Sequence, residues 1–300
     1  MGGLKTDPPV EWGGHSPVRR GGPGRWFQAA LGRSPHVDVR AYRLRTPVWP
    51  AGAPGLRIAH VTDLHVGRVT PEARLEAAVE AVNESGAALV ALTGDYVAHS
   101  LRYLPRLTHA LKALKIPAFA TLGNHDHWHG ADAVTRALER AGVEVLCNTN
   151  RVFTAGLGAG LGAVSIVGID DAVTGHHDIE RAFAGAQAGP TVVLSHLAEI
   201  TSRFQDRGVP LVLSGHTHGG QIRTAGVMER VMRRMGHQYI LGWYTLDSTA
   251  IYVNPGIGAA VIPWRTRHAH AEVAVIDIEA SAAPLDVEIV DGRTLFSQFA

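Results

Sequence analysis

Five times between residues 56 and 218, a short apolar run rich in β-formers ends in a small cluster of carboxylate, amide or imidazole side chains. In chain order the clusters are Asp63-Leu64-His65, Gly94-Asp95, Gly123-Asn124-His125-Asp126, the lone His196, and Gly215-His216-Thr217-His218. The pattern puts ligand-bearing residues at the tips of successive strands, where ligands gather in sheets flanked by helices. No structural need accounts for so many carboxylates and histidines at strand ends. A site for two metal ions does.

The runs between the clusters set the fold class. Leu56 to Thr62, Ala87 to Thr93, Ala118 to Leu122 and Val143 to Leu146 read as strands. Between them lie helical patterns. One has Leu75, Ala78, Val79 and Val82 on a single face and opens at Thr70-Pro71, with a capping hydroxyl and an early proline. A second carries Leu101, Leu104, Leu107, Leu111 and Leu114, and a third covers Asp132 to Ala141. Strand and helix therefore alternate, as in an α/β layer architecture. The second half holds more strands, at Val164 to Ile169, Thr191 to Ser195, Leu211 to Ser214, Ile251 to Asn254, Glu272 to Ile278 and Leu285 to Ile289. Helices are expected near Ile179 to Phe183 and Ala198 to Arg207, and an edge strand around Val37, Val39 and Ala41. Residues 1 to 35, rich in Gly and Pro, read as a flexible leader. Residues 36–300 read as a single domain with a cap or lid insertion at 222–245.

Bulk properties exclude several classes. The 300 residues are 46% hydrophobic, enough for one large core. Net charge is +1, so nothing global points to nucleic acid or an acidic partner. The single cysteine, Cys147, cannot form an internal disulfide, which suits a reducing cytosol. No apolar run reaches the ~18 residues a membrane span needs. The stretch after Arg19-Arg20 is too short and polar for an export signal, so the expected location is cytoplasmic. His15, His36, His99, His109, His237, His268 and His270 lie outside the clusters and read as surface or loop residues.

Two divalent ions roughly 3.5–4 Å apart can clamp the attacking and leaving oxygens of a phosphoryl displacement. Ions that close need a bridging anion, and Asp95 is the best candidate. Mixed imidazole and carboxylate donors suit manganese, iron or zinc. Asn124 can offer only a carbonyl oxygen, which makes sense beside a histidine kept for the substrate.

The order D-x-H, G-D, G-N-H-D, H, G-H-x-H resembles that of the calcineurin-like metallophosphoesterase superfamily. The resemblance covers Asp63 to His218. It implies a four-layer α/β/β/α sandwich in which two mixed sheets face each other with helices outside. It implies that Asp63, His65 and His218 hold one metal, that Asn124, His196 and His216 hold the other, and that Asp95 bridges both with a hydroxide that attacks phosphorus. His125 would contact the phosphate and protonate the departing oxygen, with Asp126 hydrogen-bonded to it to fix its tautomer. Tyr96 follows Asp95 directly, so it is not expected to take the place of the metal-binding tyrosine found in purple acid phosphatases. The longer strings Ser214 to Gln221, Gly168 to Asp171 and Tyr252 to Gly258 resemble a bacterial branch, some of whose members act on UDP-2,3-diacylglucosamine in lipid A synthesis. The implied cofactors are two divalent ions, with manganese favoured. The implied partner is a phosphorylated small-molecule or lipid-linked substrate, with no nucleic acid and no obligate protein partner. A soluble phosphodiester such as a cyclic nucleotide is the alternative substrate. A non-catalytic binding scaffold is disfavoured, because the donor set is complete.

Neighbouring residues carry weaker signals. His127 and His129 read as polar residues on a loop before a helix, and His176 and His177 as surface residues. Asp170-Asp171 suits a turn or an electrostatic role and stays outside the core site; Gln221 could reach a metal-bound water or hold its own loop. Met228, Val231, Met232 and Met235 recur at helical spacing between Arg230, Arg233 and Arg234. The plain reading packs the methionines on the core. The sharper one makes 227–236 a lid or a foot on the inner membrane surface, since Met-rich faces adapt to ligands and basic faces favour anionic headgroups. Gly156 to Gly162 reads as a hairpin turn rather than a nucleotide loop.

Overall fold

Parallel strands covered on both faces should be largely apolar, and Leu89–Thr93 and Ala118–Thr121, which carry the second and third clusters, are buried along their whole length. In the computed structural model, which describes residues 36–51, 55–154, 163–187, 189–220, 227–259 and 270–290, two mixed sheets form. The first contains β1 (Asp38–Thr46), β2 (Leu56–Val61), β3 (Leu89–Thr93), β4 (Ala118–Thr121), β5 (Glu144–Val145), β12 (Glu272–Ala280) and β13 (Asp286–Val290). Its order is β13-β1-β12-β2-β3-β4-β5, with β2 to β5 mutually parallel. The second contains β6 (Thr149–Phe153), β7 (Val164–Ile169), β8 (Thr191–Ser195), β9 (Leu211–Ser214), β10 (Gly242–Leu246) and β11 (Thr249–Val253). Its order is β10-β11-β9-β8-β7-β6, and β7, β8, β9 and β11 run parallel. The expected leader, the Gly156–Gly162 stretch and Gln221 lie outside the described residues.

Alternation along the strands divides the apolar side chains between layers. Leu89, Ala91 and Phe119 face inward and meet Ile166, Val192, Leu194, Leu211 and Leu213 of the second sheet. Val90, Leu92 and Ala120 face outward under α1 (Glu72–Glu84), α2 (Leu104–Leu111) and α4 (Ala131–Arg140), whose Leu75, Val79, Leu107, Leu111, Val134 and Leu138 cover them. On the far side, Val167, Val193, Val212 and Ile251 pack with Ala198, Ile200 and Phe204. These are the four layers of the expected sandwich.

Several expectations need correction. The strand at residues 37–41 is not an edge: β1 lies between β12 and β13. Its outward Arg43 and Arg45 reach Glu279 and Glu288 on the flanking strands, so cross-strand ion pairs cover that face. The Thr70 hydroxyl does not cap α1. It accepts the Ala259 N–H, and Pro71 precedes the helix without a side-chain cap. Residues 198–207 form two 3-10 turns rather than an α-helix. The Thr201 and Ser202 hydroxyls donate back to the Ala198 and Glu199 carbonyls, a pattern that competes with helix continuation. Strands β6 and β10 have no clear apolar run, because each is a sheet edge with a solvated side. Residues 242–246, at the end of the expected insertion, pair with β11 in the second sheet. After a short helix, α5 (Ile179–Phe183), the basic amphipathic helix does form, as α6 (Val227–Arg234). Val231 on it and Met235 just beyond its end are 41% and 71% exposed, so this part of the apolar stripe is not buried in the core. Among the described residues no helix is long and apolar enough to cross a membrane.

Candidate metal centre

The clusters follow β2, β3, β4, β8 and β9, and the parallel pairing within each sheet brings the C-terminal ends of those strands to one edge. Leaving the strands takes sharp turns. Among the described residues seven non-glycines have positive φ, and five of them are Asp63 (49°), His65 (39°), Asp95 (58°), His216 (71°) and His218 (52°). Each such conformation costs about 1–3 kcal/mol and recurs at functional sites. Backbone bonds from Asp63 N to Gly94 O (3.0 Å) and from His65 N to Asp95 O (2.9 Å) hold the first two clusters against each other.

Glycine is required where chains meet. A Cβ on Gly123 would lie 2.3 Å from Asp95 Oδ1, and one on Gly215 would lie 2.2 Å from Asp63 Oδ2. Those carboxylate oxygens are held by the protein. Asp63 Oδ2 accepts the Thr62 hydroxyl (2.9 Å) and the His216 amide (3.1 Å), and Asp95 Oδ1 accepts the His125 amide (2.9 Å).

The opposite oxygens face imidazoles. Asp63 Oδ1 lies 3.3 Å from His218 Nε2 and 3.6 Å from His65 Nε2. Asp95 Oδ2 lies 3.5 Å from His65 Nε2 and 3.3 Å from His196 Nε2. Two donor groups result, Asp63-His65-His218 and Asp95-His196-His216, with ligand atoms in each within 4.8 Å of one another. Asp95 also groups with His65 and His125, so it stands between the two sets. His196 Nδ1 donates to the Thr93 carbonyl at 2.7 Å, which turns Nε2 toward Asp95.

Three buried atoms at the centre have no hydrogen-bond partner: Asp63 Oδ1, Asn124 Oδ1 and His196 Nε2. Buried polar groups are nearly always satisfied. Each of these is a lone-pair donor of the kind a divalent ion takes, so the residues fit a metal pair. His65 Nδ1 is also without a partner, and nothing in the structure accounts for it. Electrostatics agree. Burial opposes charge on Asp63 and Asp95, yet the surrounding histidines hold both well below the usual carboxylate range. Burial lowers His196 as well, but Asp95 and Asp63 outweigh it and push that histidine up to about 10. The centre attracts positive charge.

Asp126 is not where the resemblance put it. Its carboxylate accepts four amide N–H groups, from Asp95 (2.8 Å), Tyr96 (2.9 Å), Val97 (3.3 Å) and Gly123 (3.0 Å). Burial and the Asp95 charge push Asp126 up to about 7, against the pull of the amides. His125 Nδ1 donates instead to the Ala98 carbonyl at 2.7 Å. A backbone carbonyl leaves no sequence signal for this role. Tyr96 points away from the donors, and its hydroxyl bonds the Leu92 and Thr121 carbonyls inside the helical-side core.

The neighbours also resolve. A short helix, α3 (Asn124–His129), starts at Asn124 itself, so His127 and His129 are helical rather than in a loop. His127 pairs with Asp170 at 2.8 Å and stacks on His176 with ring centroids 4.0 Å apart. Asp171 accepts the Val173 and Thr174 amides and the Thr174 hydroxyl, which is a turn role.

Comparison with known proteins extends this picture. The chain is 28% identical over 253 residues to the uncharacterized metallophosphoesterase YkuE of Bacillus subtilis, covering 82% of this chain and 87% of that one. It is 27% identical to the UDP-2,3-diacylglucosamine pyrophosphatase LpxG of Chlamydia trachomatis, covering 68% of this chain and 78% of LpxG. Among solved structures, the NAD nucleotidase NadN of Haemophilus influenzae shares the fold, with a TM-score of 0.52 at 14% identity, over 80% of this chain and 55% of that one. The family model for calcineurin-like phosphoesterases matches residues 56–220, a span that holds all five clusters and the strands that present them. On that match, and on the buried donor groups that the strand ends bring together, this chain belongs to the calcineurin-like phosphoesterases.

Proposed function

We propose that this metal-dependent phosphoesterase uses Asp63, His65 and His218 for one divalent ion, Asn124, His196 and His216 for a second, and Asp95 for both. The observation that carries the reading is Asp95 Oδ2, which lies 3.5 Å from His65 and 3.3 Å from His196, one histidine of each set. When bound, such ions act as Lewis acids toward a phosphoryl oxygen and bring the pKa of water toward neutrality. The chain's own residues do the rest. The Ala98 carbonyl keeps the proton of His125 on Nδ1 and orients the ring. Burial holds His125 below its ordinary value, and an anionic phosphate beside it acts the other way, so substrate binding readies the ring to protonate the leaving oxygen. Asp126 holds the amides of the Asp95 and Gly123 turns in place for that ring.

For the substrate we favour a lipid-linked pyrophosphate of the UDP-2,3-diacylglucosamine type, met at the inner membrane surface. The name of LpxG supports this, as do the exposed Val231 and Met235 beside Arg230, Arg233 and Arg234. Manganese is the favoured ion. The test is a manganese-supplemented panel of an aryl phosphodiester, a phosphomonoester, cyclic nucleotides and a UDP-acyl-sugar, with wild type and His125→Ala. Wild type should carry two ions per chain and turn over the UDP-acyl-sugar fastest. His125→Ala should keep its metals and lose roughly 10²–10⁴-fold in kcat. Undiminished turnover by that variant would remove His125 from the mechanism, and preference for cyclic nucleotides would replace the lipid-linked substrate.

A further inference from the structure

Beside the two donor groups stands a second imidazole cluster, of which the phosphoesterase reading uses only His125. His125 and His129 are one turn apart on α3, and His99 comes from the loop after the Val66–Val97 bridge. The three rings form a nearly equilateral triangle, with centroids 5.8 Å (His99–His125), 6.0 Å (His99–His129) and 6.0 Å (His125–His129) apart. One ring nitrogen of each lies within 4.8 Å of the others. Two histidines at i and i+4 on one helix face, completed by a third from a neighbouring segment, are a recurrent way to hold zinc.

The donor chemistry separates this cluster from the first. It has no carboxylate, whereas both dinuclear groups do. An all-imidazole set suits zinc, copper or nickel, while manganese and magnesium prefer oxygen. His125 already has the support typical of a ligating histidine, its other nitrogen bonded to a backbone carbonyl. The cluster is accessible: His99 is exposed, and His125 and His129 are half-buried. A tetrahedral zinc with bonds of about 2.0–2.1 Å sets its ligand atoms roughly 3.4 Å apart. The three ring nitrogens, within 4.8 Å of one another, stand a short side-chain adjustment from that spacing.

We propose that His99, His125 and His129 form a third metal site, selective for zinc or a cation of similar softness, and that filling it inhibits the enzyme. An ion held there takes the lone pair of His125, and the ring can then neither contact phosphate nor pass a proton to it. The binding half stands on the triangle alone. The inhibition half rests on the role proposed for His125.

The experiment counts zinc per chain by elemental analysis after equilibrium dialysis in a zinc buffer. The proteins are wild type, His99→Ala, His129→Ala and, as a control outside the triangle, His176→Ala. Wild type and His176→Ala should each hold one more zinc than His99→Ala and His129→Ala. Equal zinc in all four, or the same loss in His176→Ala, overturns the site. Zinc is then titrated into the manganese-loaded proteins with an aryl phosphodiester as substrate. Half-inhibition of wild type should need at least ten-fold less zinc than half-inhibition of His129→Ala, and superimposable curves overturn the inhibitory role. If none of the proteins hydrolyses the ester, the phosphoesterase reading fails, and the zinc count still decides the site.

Discussion

Each carboxylate at the centre has two oxygens to place, and how it places them separates holding a metal from holding a turn. Asp63 and Asp95 give one oxygen to the protein and keep one toward imidazoles. Asp126 gives both to amides. An asparagine there can accept with only one oxygen, and its amide group would face an amide N–H. Asp126→Asn should therefore lower stability by about 2–4 kcal/mol in denaturant unfolding. If Asp126 works through the turn alone, the pH dependence of kcat in this variant should match that of wild type. Gly123→Ala makes the complementary prediction. Its added methyl group would press on Asp95, so metal content after dialysis should fall by one or more ions per chain, with a loss of about 1–3 kcal/mol in stability.

Between the elements, polar contacts that do not involve the metal donors tie the sheets together. The Tyr252 hydroxyl on β11 donates to Glu272 on β12, and it pairs with the Tyr42 hydroxyl of β1 at 3.0 Å. Arg40 Nε lies 3.1 Å from the other Glu272 oxygen. Burial pushes the Glu272 carboxyl up to about 7, and Arg40 only partly offsets it. A carboxyl that binds its proton more tightly when folded favours the native state most below its unfolded pKa. That contribution is lost as pH rises through the folded value. The stability of wild type relative to Glu272→Gln should therefore fall between about pH 4.5 and 7 and level off above. Parallel denaturant titrations across that range measure the difference, and a flat difference would show that Glu272 does not titrate there.

For the molecule as a whole, the donor groups of the candidate metal centre come from both sheets. Asp63, Asp95 and Asn124 come from strands of one sheet, and His196, His216 and His218 from strands of the other. An ion that binds only when the sheets are face to face stabilises the whole sandwich. The gain is about 2.7 kcal/mol for each site at a free-ion concentration of 100 times its Kd. Chelation should lower Tm, added manganese should restore it, and His196→Ala should respond less than wild type to both. A Tm indifferent to chelator would place the ions elsewhere.

Much of this was written in local pattern. The parallel strands were legible because burial on both faces makes a continuous apolar run, as in Leu89–Thr93. The donors were legible because polar residues at strand ends are otherwise hard to explain. Edge strands β6 and β10 were not, since a half-solvated strand has no such run. The partner of His125 was not either, because any residue at position 98 could supply the Ala98 carbonyl. Side-chain chemistry along the chain thus determined which groups could take up a cation and in what order the strands deliver them. Only the packed tertiary structure decided which oxygen of each aspartate turns inward, which backbone carbonyl orients His125, and that His99 meets His125 and His129. Those outcomes depend on backbone approaches between segments distant in sequence, and no local pattern records them.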